Sequence, residues 1–174
     1  MKKFISILGS TGSIGLNSLK IIKKKKNLFK VNILAANKNF KLICEQINEF
    51  KPEFFLVNDF KTYKKIEQKY RNKKIKIINE INLKKYSFKK SDISIAAIPG
   101  IAGLNPTIEL VKNSKKILIA NKESIICGWK IIKKIAIKKK TIIVPIDSEH
   151  FSIMKLLEQH DLKEIRRIYL TASG

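Results

Sequence analysis

The sequence predicts an α/β protein built on a doubly wound, mostly parallel sheet with helices on both faces. Three observations carry that expectation. Short apolar runs rich in Ile, Val, Leu and Phe recur along the 174 residues, bounded by polar or Gly/Pro punctuation. Segments with apolar residues at helical spacing separate them. The runs are near-continuously apolar and do not keep a regular alternation with polar residues, as strands covered on both faces require.

The elements follow in order. A strand over 4–8 meets the turn Gly9-Ser10-Thr11-Gly12-Ser13-Ile14-Gly15, which opens a helix over about 16–26. Strand 31–36 precedes a helix over 40–50, where Leu42, Ile43, Ile47 and Phe50 keep helical spacing until Pro52 stops it. Strand 54–57 follows, and Asp59 suits the cap of a helix to about 71. A short strand spans 75–78, and residues 79–90 show no clear period. Residues 93–98 read as a buried strand ending in Pro99-Gly100-Ile101-Ala102-Gly103. Pro106 suits the first turn of a helix to about 112. Strand 117–120, helix 125–137, strand 141–146, helix 151–159 and strand 165–170 complete the chain.

The net charge of +23 raises nucleic acid as a partner. All but three of the 37 basic residues are lysines, and they are scattered over every polar face with an excess of Ile and Asn. Such a pattern reflects composition and not a ligand, so no specific nucleic acid is expected. Cys44 and Cys127 match no metal or disulfide spacing, which points to a reducing, cytoplasmic setting; Cys127 is expected to be a small buried residue of a helix. Neither a secretory signal nor a membrane-length apolar run is expected.

A strand, a glycine-rich turn and a helix in succession form the setting in which such glycines bind phosphate, and they make the fold Rossmann-like. One glycine allows the tight turn and another lets backbone approach a pyrophosphate. The helix start offers N–H donors and a positive dipole end. Thr11 and Ser13 add hydroxyls. The spacing is G-x-x-G-x-x-G and not G-x-G-x-x-G, so its place after the first strand carries the reading. About twenty residues on, an NAD site places an acid on the ribose 2′-hydroxyl. Here the chain reads Asn37-Lys38-Asn39, a cation between two amides, which suits a 2′-phosphate and favours NADP. A plain polar turn is the competing reading.

Ligands gather at the carboxyl ends of such strands. Besides the glycines, those ends deliver Asn121-Lys122-Glu123-Ser124, Asp147-Ser148-Glu149-His150 and Thr171-Ala172-Ser173-Gly174. Asp147 and Glu149, two residues apart at a strand end, can point the same way, and paired carboxylates call for a cation such as Mg2+ or Mn2+. The alternative is a helix start with Asp147 or Ser148 as cap.

Gly9 to Gly15, Ala120-Asn121-Lys122-Glu123-Ser124 and Pro145-Ile146-Asp147-Ser148-Glu149-His150, in this order and spacing, resemble the 1-deoxy-D-xylulose 5-phosphate reductoisomerases. Ala96 to Leu104 and Thr171 to Gly174 fit as well, so the resemblance covers the whole chain. It implies an oxidoreductase of non-mevalonate isoprene biosynthesis that uses NADPH and Mg2+ or Mn2+. Such an enzyme rearranges a ketose phosphate and reduces the aldehyde intermediate to 2-C-methyl-D-erythritol 4-phosphate. Matched residue by residue, Thr11, Gly12, Ser13, Ile14, Asn37, Lys38, Asn39, Asn121 and Glu123 fall on cofactor contacts, although the family often has Gly at the position of Asn37. Lys122, Ser148, Glu149 and Ser173 fall on substrate contacts, Asp147 and Glu149 on metal ligands, and Lys122, Asp147 and Glu149 on the catalytic set. The resemblance also implies a homodimer at full length, and a division into a cofactor domain, 1–146, and the beginning of a catalytic, metal-binding region, 147–174. Family members continue into a third metal carboxylate, a lid and a helical domain, so these residues alone are expected to support little turnover. An inactive, truncated NADP-binding remnant of the enzyme is the alternative. A semialdehyde dehydrogenase on this fold would need a nucleophilic cysteine in a loop.

Overall fold

The structure, a computed structural model, describes residues 1–80 and 86–170. Among these residues seven strands form one all-parallel sheet. They are β1 (Lys3–Leu8), β2 (Phe29–Ala36), β3 (Phe54–Val57), β4 (Lys76–Ile78), β5 (Ser91–Ala96), β6 (Ser114–Ile119) and β7 (Ile142–Pro145). Six α-helices accompany them: α1 (Ser13–Lys24), α2 (Phe40–Phe50), α3 (Phe60–Tyr70), α4 (Leu104–Lys112), α5 (Lys122–Lys139) and α6 (Ser148–Leu157). The strand order is β4-β3-β2-β1-β5-β6-β7, so the chain winds outward from β1, returns to β1's other side and winds outward again. That reversal puts the topological switch point between β1 and β5, where an open α/β sheet binds its ligand.

The apolar runs explain the layering. Ile5, Ile7, Val31, Leu34 and Phe55 are buried with Leu19, Ile22, Ile43, Ile47, Ile66 and Tyr70, so α1, α2 and α3 cover one face. Leu8, Ile33, Phe54 and Ile117 are buried with Leu110, Val111, Ile132 and Ala136, which places α4 and α5 on the other. Beside β3 on that second face lies an aromatic packing. Phe88 and Tyr86 stand edge-on to Phe54, with centroids 4.5 and 6.1 Å away.

Hydroxyls run through this core. Ser6 and Ser91 share a hydrogen bond of 2.6 Å, and the Asn32 amide donates to Ser91 and to the Lys89 carbonyl. Ser114 gives its one proton to the Leu110 carbonyl, so in the 2.6 Å bond between Ser94 and Ser114 it is Ser94 that donates. Thr141 donates to the carbonyls of Val111 and Ser114. Asn32 is the extra residue where the β1–β2 register shifts.

Four expectations are corrected. Residues 165–170 are not a strand: Ile168, Tyr169 and Leu170 are 52%, 78% and 61% exposed, and no described strand pairs with the segment. A strand needs a neighbour's N–H and C=O groups, and β7 pairs with β6 alone. Cys127 is exposed on α5, while Cys44 is buried. α1, α5 and α6 each begin three residues before the apolar period does. Pro106 stands third and not first in α4. Lys23 and Lys24 lie in the last turn of α1 and Lys138 and Lys139 in that of α5, where cations suit the helix dipole. Part of the 79–90 stretch and all of 171–174 lie outside the described residues. No described helix is long and apolar enough to cross a membrane.

Candidate functional site

Between β1 and β5 lies a crevice of about 310 Å3, lined by Gly12, Ser13, Ile14, Ala97, Ile98 and Pro99 and by Ala120 through Glu123. The glycine turn forms one wall. Gly9 has a φ of 82° and lies so close to β5's end that a Cβ would sit 2.5 Å from the Ala97 carbonyl. The N–H groups of Gly9 and Ser10 both donate to the Ala35 carbonyl, which ties the turn to β2. Gly15 lets α1 start against the turn itself, since a Cβ there would lie 2.3 Å from the Gly9 carbonyl. Gly12 is α1's N-cap and has no side chain to accept from the first turn, so those N–H groups remain for a ligand.

Sequence reasoning missed one residue that positions this turn. Ser10 is fully buried and donates to Gln46 Oε1 at 2.6 Å, while Gln46 Nε2 donates back to the Ser10 carbonyl at 2.9 Å. A glutamine within the apolar stripe of α2, beside Ile43 and Ile47, was the available signal.

Asn37, Lys38 and Asn39 are exposed at the end of β2. Asn39 caps α2 by accepting from the Leu42 N–H, and Lys38 lies close enough to Asp59 to lower that carboxyl's pKa after the Thr62 N–H and hydroxyl have done so. Asn39 is therefore a cap, as a polar turn would have it, and the cation is Lys38.

Asn121 is buried at the crevice floor with its whole amide engaged. Its Oδ1 caps α5 through the Ser124 N–H, and its Nδ2 donates to the carbonyls of Ile98 and Gly100. It acts by holding the 98–100 loop beside the crevice. Asn121→Ala is expected to cost about 2–3 kcal/mol, one part for the cap and one for the carbonyls left without a donor. Urea unfolding checks it, and a loss below the cost of a cap alone would deny the loop contacts. Lys122 and Glu123 follow, both exposed in α5's first turn.

The acidic pair is arranged by a helix start and not by strand alternation. Asp147 is the N-cap of α6, and its Oδ1 accepts from the His150 N–H at 3.0 Å and lies 2.6 Å from His150 Nδ1. Burial alone would raise the Asp147 pKa, but the bonds from the His150 backbone and ring outweigh it and hold the carboxyl below its usual range. Glu149 accepts from the Ser148 hydroxyl. Its own backbone N–H, Ser148 and the Lys122 ammonium hold its pKa low, while the Asp147 charge pushes it up. The Lys122 and Asp147 charges thus both act on Glu149, in opposite senses, and Lys122 also lines the crevice. The described residues contain no cluster of three metal-ligating side chains. Two carboxylates and a hydroxyl are hard oxygen donors suited to Mg2+ or Mn2+ with the rest of the shell supplied from elsewhere. Ser173 lies outside the described residues.

A glycine loop and helix starts converging on the switch point of a doubly wound sheet are the arrangement of a Rossmann-like α/β fold. The particular kind follows from comparison with known proteins. The chain belongs to the 1-deoxy-D-xylulose 5-phosphate reductoisomerase family: that family's model matches residues 5–128, and the model of the family's C-terminal domain matches residues 143–174. The reductoisomerase of Pelagibacter ubique is 45% identical over 177 residues, and that of Thermodesulfovibrio yellowstonii 42% identical over 174; each alignment covers 100% of this chain and 45% of the relative. The chain therefore spans under half the length of these relatives. Among solved structures, the Zymomonas mobilis reductoisomerase in complex with NADPH matches with a TM-score of 0.78 at 26% identity, over 86% of this chain and 40% of the other. A reductoisomerase in complex with NADPH, fosmidomycin and magnesium matches with a TM-score of 0.76 at 31% identity, over 85% and 37%.

Proposed function

We propose that this chain is the cofactor-binding part, 1–146, and the beginning of the catalytic region, 147–174, of a cytoplasmic, homodimeric, NADPH-dependent reductoisomerase. Its reaction converts 1-deoxy-D-xylulose 5-phosphate, a sugar phosphate, to 2-C-methyl-D-erythritol 4-phosphate in isoprene biosynthesis. The observation that carries the reading is the crevice at the switch point, with the glycine turn on one side and Asn121, Lys122 and Glu123 on the other. The relatives' complexes with NADPH and magnesium support it.

The residues divide the chemistry. The open first turn of α1, with Thr11, Ser13 and Ile14 around it, receives the pyrophosphate. Lys38 receives the 2′-phosphate. Asn121 fixes the loop beneath the nicotinamide end, and Glu123 borders it. Asp147 and Glu149 would hold a divalent ion, which when bound supplies Lewis-acid polarisation of a substrate carbonyl. Ser148, Glu149 and Ser173 bind the substrate, and the Lys122 ammonium stabilises negative charge on its oxygens. His150, held by Asp147, keeps that carboxylate oriented.

The cofactor preference tests the proposal. NADPH is expected to bind more tightly than NADH, and Lys38→Ala to reduce that preference by about ten- to a hundredfold, the worth of one charge-assisted contact. Fluorescence titration with both cofactors measures it. Equal affinity in the unmutated chain would sink the assignment.

A further inference from the structure

A second, larger concavity of about 660 Å3 lies at the opposite edge of the sheet, among the amino ends of β2 to β5. The cofactor chemistry makes no use of it. Its rim carries Lys30, Lys51, Lys73, Lys74 and Lys89 against a single carboxylate, Glu53. None of these six forms an ion pair among the described residues, although lysines elsewhere do, as Lys23 with Glu49 and Lys155 with Glu158. Asp92, near the start of β5, is already held by the Lys115 ammonium and the Phe4 N–H. Lys30 and Lys89 both set their ammoniums over the Phe4 ring, at 5.9 and 5.5 Å, which brings two cations from different elements together.

Helix ends are the simplest explanation for lysines at this edge, since α2 and α3 finish here. The magnitudes decide against that as the whole account. Each helix end is worth about half a negative charge, so two of them and Glu53 leave a net of about three positive charges around the concavity. The floor is apolar, with Ile47 and Pro52 buried and Ile75 half-buried. The single Tyr70 hydroxyl proton has two acceptors in reach, the Cys44 carbonyl at 3.3 Å and Asn48 Oδ1 at 3.1 Å. The cleft therefore offers cations around a volume of small-molecule size. One carboxylate or one phosphate would leave most of these cations unanswered.

We propose that this cleft binds a small polyphosphate anion, a run of adjacent phosphates that several lysines meet as point charges. The run can be inorganic polyphosphate or the tail of a nucleoside triphosphate.

Lys51 supplies a clean test because it ends α2 with a φ of 45°, a left-handed conformation that suits glycine better than lysine. Lys51→Gly removes a cation while relieving strain, so a loss of binding cannot be ascribed to unfolding. The 174-residue chain is titrated calorimetrically with tripolyphosphate, and separately with ATP, at about 0.15 M salt, where scattered surface charges are screened. One tripolyphosphate per chain is expected. The triple variant Lys51→Gly, Lys73→Gln, Lys74→Gln is expected to bind roughly tenfold more weakly or worse, and Lys130→Gln, Lys133→Gln, Lys134→Gln on the exposed face of α5 to change affinity by less than about twofold. In the unmutated chain, ATP binding that exceeds tripolyphosphate and falls in the cleft variant assigns the nucleotide; weaker ATP binding assigns the inorganic ion. Equal weakening in both triple variants, or no one-to-one binding, overturns the proposal.

Discussion

Gly9→Ala is expected to lose about 2–5 kcal/mol of stability and to abolish NADPH binding, because two penalties fall on one atom. A residue with a side chain at a φ of 82° carries a backbone cost of about 1–2 kcal/mol. The new Cβ also meets backbone, 2.5 Å from the Ala97 carbonyl and 2.8 Å from its carbon, and backbone cannot swing aside as a flexible side chain can. Overpacking adds about 1–3 kcal/mol. The shift would be felt in both β1 and β5, whose separation defines the crevice. Urea unfolding and NADPH titration measure the two consequences. A variant that unfolds within about 1 kcal/mol of the unmutated chain would show that the turn can relax, and would remove the argument that β1 and β5 hold it rigidly.

The second large effect concerns Asp147. Joined to the remaining C-terminal portion of the Pelagibacter relative, the chain is expected to reduce 1-deoxy-D-xylulose 5-phosphate with NADPH only when Mg2+ or Mn2+ is present. In that longer protein Asp147→Asn is expected to lower kcat by about a hundredfold or more while leaving NADPH affinity nearly unchanged. Asparagine caps a helix as well as aspartate does, so the variant keeps α6 and removes only the charge. That separates the two readings of Asp147. If turnover in Asp147→Asn stays within a few-fold of the parent, the residue is a cap and nothing more.

Much of the fold was legible because a covered parallel strand and an amphipathic helix leave different marks. Residues 54–57 and 40–50 were read to the residue, since their apolar patterns are set by the core on which they pack. The starts of α1, α5 and α6 were read three residues late for the same reason. Apolar period marks where a helix meets the core, and the first turns here carry Ser13, Lys122 and Ser148 at the ligand edge. The glycine turn was legible from its position, while the reciprocal bonds of Ser10 and Gln46 were not, because a partner 36 residues away leaves no local pattern. Asp147 and Glu149 stand out in the sequence, but their placement differs from the one their spacing suggests. Their spacing suggested two side chains on one side of a strand, but β7 ends at Pro145 and both belong to a helix start. Residues 165–170 misled because an apolar run says nothing about whether a neighbouring strand exists to pair with it.

The hydroxyls in the core bear on how this sequence can drift over time. Ser94 donates to Ser114 across β5 and β6, and Ser6 and Ser91 share a bond across β1 and β5. Loss of Ser114 alone strands the Ser94 hydroxyl in a place without water, whereas a matched change of both leaves two small apolar groups that can pack. The same pairing penalises a slip of one strand past its neighbour, which would separate the partners before any apolar contact was lost. These serines are therefore expected to come and go among relatives in pairs, and to act as a combination lock on strand alignment that uniformly apolar runs of Ile and Leu could not provide.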